Sequence, residues 1–382
     1  MSYVMESPGE KKGIMRARLR SCLLYTPPLL MMINCIFLNG SHLIQYAALL
    51  GCLAFGMMAN LRKLAVSKSF FVAVLGIALA LVSAMVNGSG FGSFVAYANL
   101  MMFSVLYSEI DFTPKQRKNM YTIVLLSLLA VLLIFSKYNH ISTYYHSVLP
   151  ALTAEKLNPN TVGLLAFFVG YFALSLCRHL KTRWFRELMY IVITAAVFAL
   201  IWQSHARTSL LAFGMFVTSY FVFQLFRKRK NFYLKAAPLF LLGLLLSLLF
   251  VYAYIFLYQH MGSVTVLGKS LFTGRQKVWG EALQLIYTNP WFGNNNSYQF
   301  GGYTTNAHNA LLSVLFMFGI APTALLLAVL YQAYKAMCRR CDPMTVHMIF
   351  CCIFIMIFET ILTDSNIYYY FTLLFMRKEA DP

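Results

Sequence analysis

Two arginines and one histidine stand out because each lies beside hydrophobic runs and carries a group that can bind or move charge. Arg207 lies in the short segment QSHARTS, Arg275 in TGRQKVWGEALQLIYTNPWFG, and His308 in NAHN. A guanidinium stays charged and can hold phosphate oxygens through paired hydrogen bonds. A neutral imidazole can take a proton from a hydroxyl group near neutral pH. The three side chains could therefore bind an anionic donor and activate a hydroxyl that attacks it.

Each of these residues also has a plain structural explanation. Arg207 can extend to the phosphates of lipid headgroups. His308 can cap the helix predicted to follow it, a role that Asn309 can fill instead. His205 and His260 have similar surroundings and are rival candidates for a base. The residues alone leave these alternatives open.

The elements that must position these residues are membrane helices. Sixty per cent of the chain is hydrophobic and only 11% is charged, and apolar runs of about 20 residues match the thickness of a bilayer. Such runs are too long and too uniform for barrel strands. We therefore predict an all-α polytopic membrane protein of about 12 spans, at 21–38, 42–59, 70–86, 94–109, 120–137, 161–177, 188–203, 208–226, 236–257, 309–334, 345–362 and 364–376. The last span is short, which predicts a kink or a merger with the eleventh.

The distribution of positive charge predicts the orientation. Of the 31 Lys and Arg residues, 25 fall in connections that share one side if the N-terminus is cytoplasmic, as the positive-inside rule requires. This distribution explains the net charge of +19 without a nucleic-acid partner. The six basic residues on the outer side are the exceptions: Lys137, Lys156, Arg207, Lys269, Arg275 and Lys277.

Acidic residues are scarce on that outer side. Of the 12 Asp and Glu residues, we place Glu155, Glu281 and Asp364 there, and Glu359 in or near the membrane. A glycosidase needs two matched carboxylates, and a divalent metal prefers clustered oxygen ligands, whereas the sequence contains no Asp-x-Asp. We expect no metal and no cofactor. The pattern suits a substrate that brings its own anionic leaving group, such as a diphosphate.

The chain is predicted to form a single membrane domain, 1–382, with a large outer loop at 258–308 between the ninth and tenth spans. Thr273 is a plausible N-cap for a short amphipathic helix in this loop, which Asn289-Pro290 ends. Its apolar stripe comprises Val278, Trp279, Ala282, Leu283 and Ile286. Arg275 lies on the face of Trp279, so we expect the helix to lie on the outer mouth of the bundle and to present Arg275 to a cavity.

These residues resemble the O-antigen ligase and polymerase superfamily of bacterial cell envelopes. The resemblance rests on Ser204-x-x-Arg207-Thr208, on Gly274-Arg275 with Trp279, Ala282, Asn289-Pro290 and Gly293, and on His308-Asn309 before an apolar helix with Gly319. Asn158-Pro159-Asn160 is a weaker match. Together these motifs cover about residues 155–335. The run Asn294-Asn295-Asn296 departs from the family's pattern, which leaves the acceptor open.

The resemblance implies a glycosyltransferase of the bacterial cytoplasmic membrane that works on its outer face. It implies a glycan donor carried on undecaprenyl diphosphate and a glycan or lipid acceptor, with inversion and without metal. Arg207 and Arg275 would hold the diphosphate, and His308 would activate the acceptor hydroxyl. Asn158, Asn160, Trp279, Tyr303 and Asn309 are further candidates for sugar or loop contacts, although interfacial Tyr belts are common.

Two alternatives to a ligase remain for the function, a polymerase and a transporter. The ligase reaction delivers the glycan to a lipid A-core acceptor in lipopolysaccharide assembly, and His308 favours it. A polymerase of the same superfamily would instead extend an O-antigen, capsule or exopolysaccharide chain. A flippase or other transporter of lipid-linked oligosaccharides belongs to a different class. Transporters usually place charges near the middle of the membrane and contain internal repeats, whereas the charges here gather at one end and no repeat is evident.

Overall fold

The computed structural model describes residues 25–33, 42–87, 91–138, 159–224, 237–261, 265–266, 269–270, 275–294, 299–300, 303–304, 307–340, 342–362 and 367–378. Within these residues the chain is almost entirely helical. The helices are α1 (25–33), α2 (His42–Leu64), α3 (Lys68–Val86), α4 (Phe91–Glu109), α5 (Pro114–Tyr138), α6 (Pro159–Cys177), α7 (Arg183–Gln203), α8 (Arg207–Gln224), α9 (Pro238–Met261), α10 (Arg275–Thr288), α11 (Ala310–Phe318), α12 (Ile320–Arg340), α13 (Pro343–Met356) and α14 (Tyr368–Leu373).

Extended structure is confined to three pairs of two-residue strands in the described parts of the chain. β1 (Asp111–Phe112) pairs in parallel with β6 (Arg377–Lys378). Two antiparallel pairs, β2 (Thr265–Val266) with β3 (Lys269–Ser270) and β4 (Gln299–Phe300) with β5 (Tyr303–Thr304), lie in the segment predicted to form the outer loop. The fold is therefore an all-α bundle with short strand pairs in its connections.

Five of the described helices, α3, α6, α7, α9 and α12, are long and apolar enough to cross a membrane. Large apolar side chains on α7 and α9 point outward, among them Ile191, Leu245 and Leu249. In water such faces would be costly to expose, whereas lipid tails solvate them. These features identify an α-helical membrane protein. The count of 12 spans stays a prediction.

The C-terminal third differs from the predicted spans. The span expected at 309–334 is two helices, because the chain leaves helical geometry at Gly319, whose φ is 81°. The helix expected at 345–362 ends at Met356. In the short last segment, the described residues 367–376 contain one helix, the six-residue α14, all of it buried. Packing inside the bundle rather than length in lipid therefore stabilises it.

The core of the bundle surrounds α4. This helix packs against α2, α3, α12 and α14, and its residues from Ala96 to Ser108 are buried. The hydroxyl groups of Tyr107 and Tyr369 join α4 to α14 at 3.0 Å, and Tyr97 Oη donates to Pro322 O at 2.6 Å. These buried tyrosine hydroxyl groups thus have partners in the apolar interior.

An ion cluster closes one end of the bundle. Asp342 accepts hydrogen bonds from Arg178 at 2.9 Å and from Arg117 at 3.3 Å. Burial by itself would raise the pKa of Asp342, but the charges of Arg178 and Arg117 outweigh it and hold that pKa well below its usual range. Thr345 also donates to this carboxylate, at 3.0 Å. The cluster connects α5, α6 and α13.

A second charged cluster lies among connections assigned to the same side. Asp111 pairs with Lys63 at 2.8 Å and with Arg377 at 2.6 Å. The loops that the charge distribution assigns to the cytoplasm therefore contact one another in two groups, one at Asp342 and one at Asp111. This arrangement agrees with the predicted grouping of loops, whereas the orientation of the bundle in a membrane stays a prediction.

Candidate functional site

Helix α10 forms the base of the site. It begins at Arg275 and ends at Thr288, as its apolar stripe predicts. Trp279 and Ala282 are fully buried against α9 and α11, and the rings of Tyr254 and Phe250 pack edge-on against the indole. The helix therefore lies against the bundle with its apolar stripe inward. This packing fixes the position of Arg275, the first residue of the helix.

Trp279 connects this helix to the segment that carries His308. Its indole N–H donates to the carbonyl of Ala307. Asn309 caps α11, since its Oδ1 accepts from the N–H of Leu312 at 2.9 Å. Between these two anchors His308 adopts a left-handed backbone conformation, with φ of 47°, which is uncommon for any residue other than glycine. His308 is therefore not the cap, and its side chain is one-third exposed.

Glu359 brings Arg275 and His308 together. Glu359 Oε1 lies 3.7 Å from Arg275 Nη2, and Glu359 Oε2 lies 4.0 Å from His308 Nδ1. The ring of Phe358 lies under the guanidinium, 5.9 Å from its central carbon. Asn309 Nδ2 donates to Ile357 O at 3.1 Å, which ties the turn after α13 to the start of α11. One cation, one carboxylate and one imidazole thus form a single cluster.

The far end of α10 is locked to the bundle. Ile320 N donates to Pro290 O at 2.8 Å, and Asn294 N donates to Phe316 O at 2.7 Å. Asn289 Nδ2 donates to Gly293 O at 2.6 Å, and Asn87 donates to the carbonyl of Phe292 at 2.9 Å. The turn after α10 therefore fits into the break at Gly319, and the helix is anchored at this end.

Arg207 lies at the same end of the bundle but outside this cluster. It is the first residue of α8 and is exposed. The opposite end of α8 carries Tyr220, which lies near Arg178 of the Asp342 cluster. Helix α13 packs against α8, and Asp342 is the N-cap of α13. The two helices therefore run antiparallel, and Arg207 shares an end with Glu359. Among the described residues, no hydrogen bond or ion pair joins Arg207 to Arg275, Glu359 or His308.

The start of α6 lies beside the turn that carries Arg207. A methyl group on Gly163 would overlap Ala206 and would lie 3.1 Å from Ser204 Oγ. This close approach places Asn160, one turn earlier on α6 and half-buried, at the same end. Asn160 and Arg207 thus lie at the same end of the bundle.

The other expected residues fall into three groups. Trp279 and Asn309 are fully buried and bond to Ala307 O and Ile357 O, while their expected sugar or loop contacts stay a prediction. Tyr303 forms part of β5, and its side chain, like Asn158 and Thr273, lies outside the described residues. Among the rival histidines, His205 has φ of 55° in the turn before Arg207, and His260 bonds to Phe256 O at 2.9 Å.

Glu359 is the site residue that sequence reasoning missed. The count of outer acids had placed it in or near the membrane, without a role. Its signal was an acid directly after an apolar run, where an unpaired charge is costly. Finding its partners required the fold, because Arg275 and His308 are distant from it in sequence.

Comparison of the chain with models of known protein families gives no match, and searches of curated proteins and of solved structures give no significant match. Within the described residues, no group of three or more His, Cys, Asp or Glu side chains is placed to hold a metal ion. The resemblance described above and the expectation of a metal-independent reaction stay predictions.

Proposed function

We propose that this protein is an inverting, metal-independent glycosyltransferase that moves a glycan from undecaprenyl diphosphate to a hydroxyl acceptor. The reaction takes place on the outer face of a bacterial cytoplasmic membrane, in cell envelope biogenesis. The observation that carries the proposal is the cluster of Arg275, Glu359 and His308. It combines a cation that can bind phosphate with an imidazole that can accept a proton.

The arginines suit a diphosphate leaving group. Among the described side chains, none accepts a hydrogen bond from Arg275, and the nearest carboxylate oxygen, on Glu359, lies 3.7 Å away. The guanidinium donors can therefore turn to phosphate oxygens. Arg207 stands in the first turn of α8, where the helix dipole favours an anion over a cation. A diphosphate beside Arg207 would supply that anion. Both guanidiniums could stabilise the charge that develops as the bond to the sugar breaks.

His308 suits the role of general base. Its Nδ1 faces Glu359, which leaves Nε2 for an acceptor hydroxyl. The hydroxyl oxygen forms a bond to the anomeric carbon as the bond from that carbon to phosphate breaks. The leaving diphosphate takes the electron pair, and the proton goes to His308. A carboxylate beside the imidazole stabilises the imidazolium that results.

Binding of undecaprenyl diphosphate to the purified protein tests the donor site. We expect Arg275→Ala to weaken binding about tenfold or more, because a charge-assisted hydrogen bond is lost. Lys277→Ala, an exposed cation two residues further along α10, serves as the control and should bind normally. Equal affinity in the parent protein and in Arg275→Ala would refute the assignment of this arginine.

The acceptor distinguishes a ligase from a polymerase. Glycan length in a deletion strain separates the two, since a ligase mutant loses attachment of the finished glycan whereas a polymerase mutant attaches only short units. Ligase is our first expectation. A deletion strain with normal attachment and normal chain length would contradict both.

A further inference from the structure

Glu359 lies between two groups that the proposed reaction uses at different moments. Arg275 acts when the donor binds, and His308 acts when the acceptor attacks. The carboxylate directs one oxygen at each, at 3.7 Å and 4.0 Å. Both distances exceed those of hydrogen bonds, so the three groups attract one another without being locked together.

The backbone holds Glu359 in this place. Glu359 N donates to Ile355 O at 2.9 Å, and Asn309 holds the carbonyl of Ile357 at 3.1 Å. The neighbouring Phe358 packs edge-on against Phe250 and Phe354. One carboxylate oxygen, the buried Oε1, has no hydrogen-bond partner in the described part of the structure. A buried, unsatisfied acceptor is costly and points to a partner that arrives with the substrate or moves with it.

The carboxylate of this cluster is shielded from water, whereas the imidazole of His308 is one-third exposed. The side chain of Glu359 is 9% exposed and that of Arg275 is 21% exposed. Phe358 contacts Phe250 of α9, and α9 continues to Met261, about three turns or roughly 16 Å further along its axis. Charges in such a recess interact more strongly than charges at a surface, so a change at one of them is felt by the others.

We propose that Glu359 is a positioning residue that couples donor binding to proton transfer, a role that rests on the proposed function. Before the donor binds, its carboxylate attracts Arg275 and limits the attraction of that arginine for anions. When a diphosphate takes Arg275, the carboxylate turns to His308, orients the imidazole and stabilises it once it has accepted the proton. Acceptor attack is thereby favoured only when the donor is bound.

The test compares Glu359→Gln with the parent protein, reconstituted as the full chain in lipid nanodiscs. Undecaprenyl diphosphate is the binding probe, and a lipid-linked glycan from the producing cells is the donor for single-turnover transfer. We expect Glu359→Gln to bind the probe about fivefold more tightly, because a competing charge is gone. Transfer should become about 100-fold slower, because the base loses its partner. A purely structural residue would not move binding and rate in opposite directions.

Two further variants complete the test. Glu359→Asp keeps the charge on a shorter side chain and should restore part of the rate, with donor binding near that of the parent. If the glutamine variant does not fold, this variant still tests the role of the carboxylate. Glu281→Gln removes another acid, on α10, and should change neither quantity. Unchanged binding and rate in Glu359→Gln, or a parallel loss of both in a folded protein, would overturn the coupling.

The outcomes separate this inference from the proposed function. If Arg275→Ala and His308→Ala abolish transfer while Glu359→Gln behaves as the parent protein, only the coupling fails. If the parent protein transfers no glycan, the proposed function fails and the coupling fails with it.

Discussion

At the scale of single residues, the candidate site depends on a few polar contacts inside an apolar protein. Trp279 is the example outside the reacting groups. It is fully buried, and its N–H donates to the carbonyl beside His308. A large aromatic side chain contributes most of its stabilisation through burial. The single hydrogen bond to Ala307 O fixes the position of His308, which follows Ala307 in the chain.

Replacing Trp279 with Phe removes the hydrogen bond and keeps an aromatic ring. The phenyl ring is smaller than the indole, so some packing is lost as well, and the buried carbonyl of Ala307 loses its donor, which alone costs about 1–3 kcal/mol. We expect a lower unfolding temperature and slower glycan transfer, because His308 is no longer held in its left-handed conformation. Trp291→Phe is the control, since Trp291 is 63% exposed. Equal transfer by the two variants would show that the hydrogen bond does not position His308.

The sequence was sufficient to identify most of the groups that meet at the site, but not their contacts. Arg275 and Trp279 on one face of a helix follow from spacing, and Asn309 as the cap follows from its place before an apolar run. Glu359 could not be assigned, because its partners lie on other elements. The backbone conformation of His308 depends on two anchors distant in sequence, so no local pattern predicts it.

At the scale of elements, the break between α11 and α12 was the least predictable feature. An apolar run over 309–334 reads as one continuous helix. The structure divides it at Gly319, where the chain adopts a left-handed conformation and the backbone of Trp291 approaches too closely for a side chain. A single glycine in an apolar run carries little signal, because the partner of the break, the turn after α10, comes from elsewhere in the chain.

Gly319→Ala should therefore weaken the anchor of α10. The added methyl group would enter a backbone with φ of 81° and ψ of −176°, a region that essentially only glycine adopts, at a cost of about 1–3 kcal/mol. It would also overlap the carbonyl of Trp291. We expect a clearly lower unfolding temperature in detergent. Gly280→Ala provides the control, because its added methyl group meets no atom within 4 Å and alanine favours a helix. Equal stability of the two variants would contradict the proposed packing.

The Asp342 cluster connects three helices at the opposite end. Asp342→Asn leaves Arg117 and Arg178 without their counter-charge in a largely buried place, and we expect it to cost about 3–5 kcal/mol. Glu187→Gln removes a carboxylate that is 52% exposed and 3.7 Å from Arg186, so it should cost little. Thermal unfolding of both variants measures the difference. A similar small effect in both would show that the cluster does not stabilise the bundle.

The same cluster predicts a pH dependence with a definite sign. The pKa of Asp342 lies below its usual range in the folded protein, so the unfolded state binds its proton at a higher pH than the folded state. The stabilisation is therefore fully present above about pH 4, the ordinary value for Asp, and is lost as the pH falls below it. Unfolding temperatures of the parent protein should drop in this acid range, with a smaller drop in Asp342→Asn. Identical profiles would contradict the assignment.

At the scale of the whole molecule, the sequence predicted the class of fold and the grouping of its loops. Hydropathy and charge distribution act on every segment, so their combined signal is strong. The contacts of Asp342 with Arg117 and Arg178, and of Asp111 with Lys63 and Arg377, agree with that grouping. Hydropathy and charge did not predict the short helices after Gly319, because packing against protein rather than length in lipid determines where those helices end.

Cysteine labelling tests the orientation of the bundle in intact cells. Tyr287→Cys, at a position 88% exposed near the end of α10, should react with a membrane-impermeant maleimide added outside. Val66→Cys, at a position 80% exposed between α2 and α3, should react only after the cells are opened. Cys177, Cys338, Cys351 and Cys352 are buried, and the parent protein measures any background. The reverse pattern of labelling would place the site on the cytoplasmic side.

The most direct test of the account is the rate of glycan transfer from an undecaprenyl-diphosphate-linked donor by purified His308→Ala. His260→Ala, which removes an exposed histidine of α9, is the matched control. We predict that His308→Ala retains the fold and is at least about 100-fold slower, the usual contribution of a general base, while His260→Ala transfers at the rate of the parent protein. Transfer by His308→Ala at the rate of the parent protein would contradict the proposed function of the site.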